Sequence, residues 1–432
     1  MSKAVKTITD KHVKLALSLI KELLKGYQPR DFAIRFWDGT TWEADPLQSV
    51  RFTLILRHPG ALRRMLLPPS DLSLGEAYIF GDFDIEGDIE AVFDVGYSLI
   101  FQKLSILQYA SLAVKLFRLP SGRRQIAVDT NRTGATLAGS EHSKERDRQA
   151  ISYHYDVSND FYALWLDRQM VYSCGYFKSL DDDLDTAQTQ KLDYICRKLR
   201  LKPDERLLDI GCGWGGLIIH AAKYYGVEAI GFTLSEAQAE LANKRIHAEG
   251  LQDRCRVEVC DYRDFKSEKQ FDKLVSVGML EHVGSNLLKD YFQHAWDLLR
   301  PGGVFLNHAI ADDINSTGKT SPFVNRYVFP DGEIVRIHTT LKAAEQSGFE
   351  LRDIESLRDH YILTLSRWVQ HLNQNEKAGI EMVGSVAYRI WQLYMAGARY
   401  GFVMRFQTIF QVLLSKPDGN VSNLPLTRED WY

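Results

Sequence analysis

The chain has 432 residues, 45% of them hydrophobic and 25% charged, the balance of a globular protein long enough for two or three domains. Its formal net charge is only −3, which points away from nucleic-acid binding and leaves any pull towards an anionic surface to local basic patches. No uncharged run approaches the ~20 residues that a membrane span needs. From the N-terminus, Val13, Leu17, Ile20 and Leu24 recur at helical spacing and predict a helix over 10–25, packed on its own domain. Lys11, Lys14, Lys21 and Glu22 break the apolar core that a signal peptide would require, so the expected location is cytoplasmic. Asp38-Gly39, between 32–37 and 41–43, predicts a hairpin. A strand at 50–56, a helix at 59–67 stopped by Pro68-Pro69, and a strand at 81–87 complete a small α+β unit ending near residue 95. Residues 97–118, apolar with isolated Lys103, Lys115 and Arg118, suggest one amphipathic linker helix. The stretch after it, with Arg123-Arg124, is rich in Gly, Ser, Thr and Asn. The division expected is an N-terminal domain with its linker helix (1–119), a flexible linker (120–148) and a larger domain (149–432).

From about 186 the pattern alternates: helix 186–200, strand 206–210, helix 215–226, strand 227–232, helix 235–249, strands 255–259 and 271–277, helix 286–299, strand 303–308. Such alternation implies an α/β fold with a parallel, doubly wound sheet whose ligand site lies at the strand C-termini. A helix at 339–347 and a strand at 350–356 follow, and 360–414 has apolar residues at helical spacing. Leu207 to Ile210 runs into Gly211, Gly213, Gly215 and Gly216 and then into an apolar helix, so the glycine loop has the strand–turn–helix context of a nucleotide site. The second strand ends in Thr233 and Ser235 without the acid of a dinucleotide fold, and no Lys-Ser/Thr follows the glycines as in a P-loop. Asp209 before the turn favours S-adenosylmethionine (SAM). The five cysteines, odd in number and without a C-x-x-C pair, argue against disulfides and against a zinc site, and no metal is expected.

Five runs in order carry a resemblance: His154 to Phe161, Tyr172-Ser173-Cys174, Asp209 to Gly216, Asp261-Tyr262-Arg263-Asp264, and Val277 to Gly284. Over about 150–410 the chain resembles cyclopropane-fatty-acid synthases and the related mycolic acid methyltransferases, and residues 1–120 resemble, more weakly, the lipid-associated domain of the longer bacterial synthases. The resemblance implies a class I SAM-methyltransferase sheet with helical insertions that cover lipid, beside the small N-terminal α+β domain. It implies methylene transfer from SAM to a cis double bond of a phospholipid acyl chain, through a carbocation deprotonated by bound bicarbonate. Cys174, Glu281, His308, Ile310 and Tyr361 would form the bicarbonate pocket, with Cys174 and Ile310 acting through backbone groups. Tyr172, Ser173, Asp209, Gly211, Gly213, Trp214, Gly215, Thr233, Leu234, Ser235, Gln238, Asp261 and Tyr262 would hold SAM, with Asp261 accepting from the adenine amine. Unsaturated phospholipids at the inner face of the membrane would be the partners, with peripheral association and room for a homodimer.

Several of these residues also have ordinary readings. Cys174 can be a buried thiol, His308 a satisfied core histidine, Tyr361 a wall residue and Cys212 a residue that merely fits the turn. Two rival activities share the SAM loop. A fatty-acid C-methyltransferase would leave a methyl or methylene branch, and a small-molecule N-methyltransferase would have a compact polar pocket and no use for a lipid domain. A catalytically silent lipid binder is the third rival, and the set Glu281, His308 and Tyr361 argues against it.

Overall fold

The computed structural model describes residues 10–101, 105–121, 134–155, 157–422 and 424–431. The chain forms two compact units. One gathers Met1–Gly134, Ser321–Tyr327 and Ile380–Tyr400; the other gathers Ala135–Thr320, Val328–Gly379 and Gly401–Tyr432.

In the first unit, strands β1 (Phe32–Arg35), β2 (Thr41–Trp42), β3 (Phe52–Leu56) and β4 (Phe83–Gly87) lie in the order β2-β1-β3-β4. The β1–β2 hairpin turns at Asp38, whose carboxylate accepts from the Thr40 amide at 2.9 Å. β1 pairs with β3 in parallel, which stacks Phe32 on Phe52 at 5.1 Å. The helix Lys11–Leu23 starts at Asp10, which accepts from the His12 amide, and buries Val13, Ala16, Leu19 and Ile20 at helical spacing. The region expected as one helix over 97–118 contains two, Val92–Phe101 and Ile106–Phe117. Ser105 and Gln108 form a capping box, so a new helix begins there. Two distant segments complete this unit. Tyr327 donates to Glu76 at 2.8 Å, and Arg389 donates to the carbonyls of Tyr78 and Phe83 at 2.9 and 3.0 Å. Of the expected linker, 122–133 lies outside the described residues, and Lys144–Tyr155 is helical.

In the second unit, β5 (Arg206–Ile210), β6 (Glu228–Thr233), β7 (Cys255–Val259), β8 (Phe271–Val277), β9 (Leu299–Asp312), β10 (Glu350–Ser356) and β11 (Gln407–Ser415) form one sheet. Its order is β10-β11-β9-β8-β5-β6-β7. β6 and β8 flank β5, all parallel, so the winding reverses at β5 and opens a crevice at its C-terminal end. Neighbouring residues on β5 face opposite cores: Leu207 packs with Ile218, Val227 and Leu306, and Leu208 with Ile230, Leu274 and Phe305. The sheet is therefore covered on both faces.

The doubly wound sheet forms as expected, but the helical reading of 360–414 is corrected at its end. The helices Arg358–Gln374 and Glu376–Val403 form as read, the second broken at Gly384, but β11 follows and inserts antiparallel between β9 and β10. An inner strand is buried on both faces, so its side chains show no alternation, and a short apolar run of that kind is indistinguishable from helix by period alone. Among the described residues, no helix is long and apolar enough to cross a membrane.

Candidate active site

The crevice at the end of β5 is built on the glycine turn. Gly211 has φ +86°, and a Cβ there would sit 2.9 Å from Met279 Cγ, so both conformation and space call for glycine. Gly215, at φ +77°, caps the helix Gly216–Tyr225, whose first amides then face the crevice end of the sheet. Cys212 packs against Gly231, which accounts for it as a turn residue.

Tyr172, Ser173, Asp209, Gly211, Gly213, Trp214, Thr233, Leu234, Gln238 and Tyr262 line one cavity. Trp214 donates to Asn159 at 2.7 Å, and Asn159 reaches on to the Ala237 carbonyl, tying the turn to the helix after β6. The Thr233 hydroxyl donates to Gln238 Oε1 at 2.6 Å. Gly215, Ser235 and Asp261 do not line the cavity. Ser235 is the N-cap of Glu236–Ala248. The carboxylate of Asp261 is clasped by Arg263 at 2.8 and 2.6 Å. Burial raises the Asp261 pKa, but the hydrogen bonds and charge of Arg263 outweigh it and hold the group below its usual value. This clasp orients the loop between β7 and β8, and Arg263 also donates to the His142 carbonyl.

Residues not foreseen complete the wall. Lys191, 1% exposed, donates to Ser173 Oγ at 2.8 Å. Burial lowers its pKa to about 8, opposed first by the charge of Asp167. Burial lifts Asp209 to about 7, with Lys191 pulling the other way. Gln188 from the same helix holds the carbonyls of Val171 and Ser173 at 3.2 and 2.8 Å. Tyr155, Met279 and His282 also face the cavity. His282 stays neutral, its pKa brought down to about 4 first by burial and then by His142. Around Tyr172 stand Trp165 at 5.3 Å, Trp368 at 5.2 Å and His154 at 5.7 Å, a dense aromatic wall. No spacing rule singles out Lys191 or Gln188, because polar residues on a helix ordinarily mark its wet face.

A second cluster lies where β8 and β9 end. Glu281, on the turn after β8, accepts from the Ile310 amide at 2.7 Å through Oε1, while Oε2 is buried without a partner. Burial raises its pKa to about 7, opposed by that backbone hydrogen bond. The Ile310 amide is therefore taken by Glu281. His308, 1% exposed, places Nδ1 3.4 Å from Gln411 Nε2 on β11, which puts the ring proton on the buried, unpartnered Nε2. Burial first, then Lys191, Lys198 and His360, keeps His308 well below its ordinary pKa and neutral. Cys174 is fully buried with its thiol turned to the Gly175 and Leu357 carbonyls, and burial drives its pKa far up, so it is no thiolate nucleophile. Tyr361 packs against Trp368 and Phe402 at 5.9 and 4.8 Å. Thr364, one turn on, accepts from the Gly175 amide at 3.0 Å and fixes that helix to the Cys174 segment.

An α/β sheet wound in this way, with a glycine turn at its switch point, is a class I SAM-dependent methyltransferase fold. The crystal structure of mycolic acid cyclopropane synthase CmaA1 complexed with SAH and CTAB matches 62% of this chain and 97% of its own, with TM-score 0.59 and 30% identity. The model of the mycolic acid cyclopropane synthetase family matches residues 142–412, and a domain of unknown function matches 19–107. A probable fatty acid methyltransferase of Pseudomonas putida is 39% identical over 92% of this chain and 95% of its own. The cyclopropane-fatty-acyl-phospholipid synthase of Escherichia coli is 35% identical over 67% of this chain and 73% of its own. The chain belongs to the mycolic acid cyclopropane synthetase family and is a SAM-dependent methyltransferase of lipid acyl chains.

Proposed function

We propose that this protein transfers a one-carbon unit from SAM to the cis double bond of an unsaturated phospholipid acyl chain and closes a cyclopropane ring. When bound, SAM supplies the electrophilic methyl carbon and bicarbonate the base for the proton that the new methyl loses. The two orphaned polar atoms carry this reading: His308 Nε2–H is a donor and Glu281 Oε2 an acceptor, both out of water. An anion that also bears a hydroxyl, as bicarbonate does, matches that pair, and Tyr361 and the backbone at Cys174 would complete its hold. Neutral His308 leaves such an anion its basicity, because a neutral donor does not neutralise it as an imidazolium would. Tyr172 lines the cavity and is backed by the buried Trp165 and Trp368, so water, which would add to a carbocation, is kept from that side, and a ring face beside positive charge contributes about 1–2 kcal/mol. The chain's own residues on the SAM side position rather than react: Lys191 and Gln188 fix the Ser173 segment, and Gln238 orients Thr233.

A second reading, fatty-acid C-methylation, is favoured by one observation: the relative matched over 92% of this chain is named a probable fatty acid methyltransferase. The two readings differ in which proton the cation loses. Expression in cells with unsaturated lipids, followed by mass spectrometry of fatty methyl esters, tests them. A gain of one CH₂ with loss of the double bond supports ring closure, a gain with a retained double bond supports branching, and unchanged acyl chains despite SAM binding would sink both.

A further inference from the structure

We propose that the helix Ile106–Phe117 seats this protein on an anionic lipid surface. The proposal rests on the reading that the substrate is a phospholipid acyl chain and names where the chain meets that lipid. At 100° per residue, Ile106, Leu107, Ala110, Val114 and Phe117 fall within about 100° of the helix circumference. The four larger ones are 87%, 83%, 55% and 58% exposed. The other side of the same helix is spoken for, since Leu112 and Leu116 are buried, as is Leu119 just beyond it. Exposed apolar residues scattered singly need no explanation, but a stripe of this length on one helix does.

Charge decides the occupant. From Val95 to Val128 the sequence carries five lysines and arginines and no acidic residue, although the whole chain is net −3. Lys115, on the flank, meets Glu22, while Arg118 is exposed at the helix end. The Arg63 guanidinium lies 4.9 Å over the Phe117 ring and donates to the Leu119 carbonyl. An apolar stripe that ends in a cationic collar is the pattern of a helix lying in a lipid interface, with the apolar side chains below the headgroups and the cations among them. A second copy of the same face would set like charge against like charge and offers no counter-ion.

Sedimentation of the full chain with vesicles tests this. With phosphatidylcholine vesicles containing phosphatidylglycerol, partitioning is expected to exceed that with phosphatidylcholine alone by tenfold or more and to fall with salt. The double variant Leu107→Ser, Val114→Ser is expected to lose at least tenfold in partitioning, and Arg118→Gln about fivefold, on anionic vesicles only. SAM binding and turnover of detergent-dispersed lipid should be unchanged in these variants, while turnover on vesicles drops. Equal partitioning of wild type and variants overturns the proposal. So does a wild-type dimer that the double variant converts to a monomer, since that face would then join two copies. Vesicle binding that depends on Leu107 and Val114, with no turnover of any lipid, would uphold the seat and refute the proposed reaction.

Discussion

Glu281 holds the Ile310 amide with one oxygen and keeps the other buried without a partner. Burial takes its pKa from 4.5 to about 7. A carboxyl raised in this way favours the folded state fully below pH 4.5 and loses that contribution as pH rises through 7. Glu281→Gln keeps an acceptor for the Ile310 amide and removes the charge. It should therefore stabilise the fold at pH 8 by about 3 kcal/mol, with little effect at pH 4, as urea titrations at the two pH values would read. The same variant should lower turnover about 100-fold while SAM affinity, measured by calorimetry, stays near wild type. Matched losses in both would place Glu281 with the cofactor instead. Lys191→Met should act in the opposite way. It removes the donor to Ser173 and the one cation opposing the burial of Asp209, so the SAM dissociation constant should rise about tenfold, ~1.4 kcal/mol. Glu281 stands out in the sequence because it lies in the Val277 to Gly284 run that carries the resemblance, just after a predicted strand. Lys191 does not, since nothing in a helical pattern distinguishes a lysine turned inwards from one in water. Asp261 shows the converse: its motif stands out, but only the folded chain reveals that Arg263 occupies its carboxylate.

Among the elements, the helix Arg358–Gln374 is held to the Cys174 segment by Thr364, which is fully buried. Thr364→Val keeps the shape and strands the Gly175 amide, so it should destabilise by about 1–3 kcal/mol in a denaturant titration. It should also slow turnover more than it weakens SAM binding, because the Tyr361 end of the same helix shifts with it. Equal stability would show that the Gly175 amide finds another acceptor. The strands β5 to β9 were readable because each short apolar run is bounded by a helix of clear period. β11 was not, because it lies between two neighbours and is buried on both faces. The partner that Gln411 provides for His308 was hidden with it, since a residue misread as helical cannot be paired across a sheet.

At the scale of the molecule, the sequence divides into consecutive blocks, whereas the first compact unit also takes Ser321–Tyr327 and Ile380–Tyr400. Helical period shows that Tyr388, Trp391 and Met395 share a buried face, but not which core buries it. The proposed reaction places a demand on the whole arrangement: an acyl chain, a methyl donor and a base must meet out of water. In the proposed reaction the new carbon arrives as a methyl on the acyl double bond and loses one proton there. The purified protein given SAM deuterated at the methyl, with vesicles of a cis-unsaturated phospholipid, tests this most directly by mass spectrometry of the acyl chains. The expected product has gained CD₂ and lost its double bond. A product that keeps CD₃, or label found on the headgroup rather than the acyl chain, would contradict it.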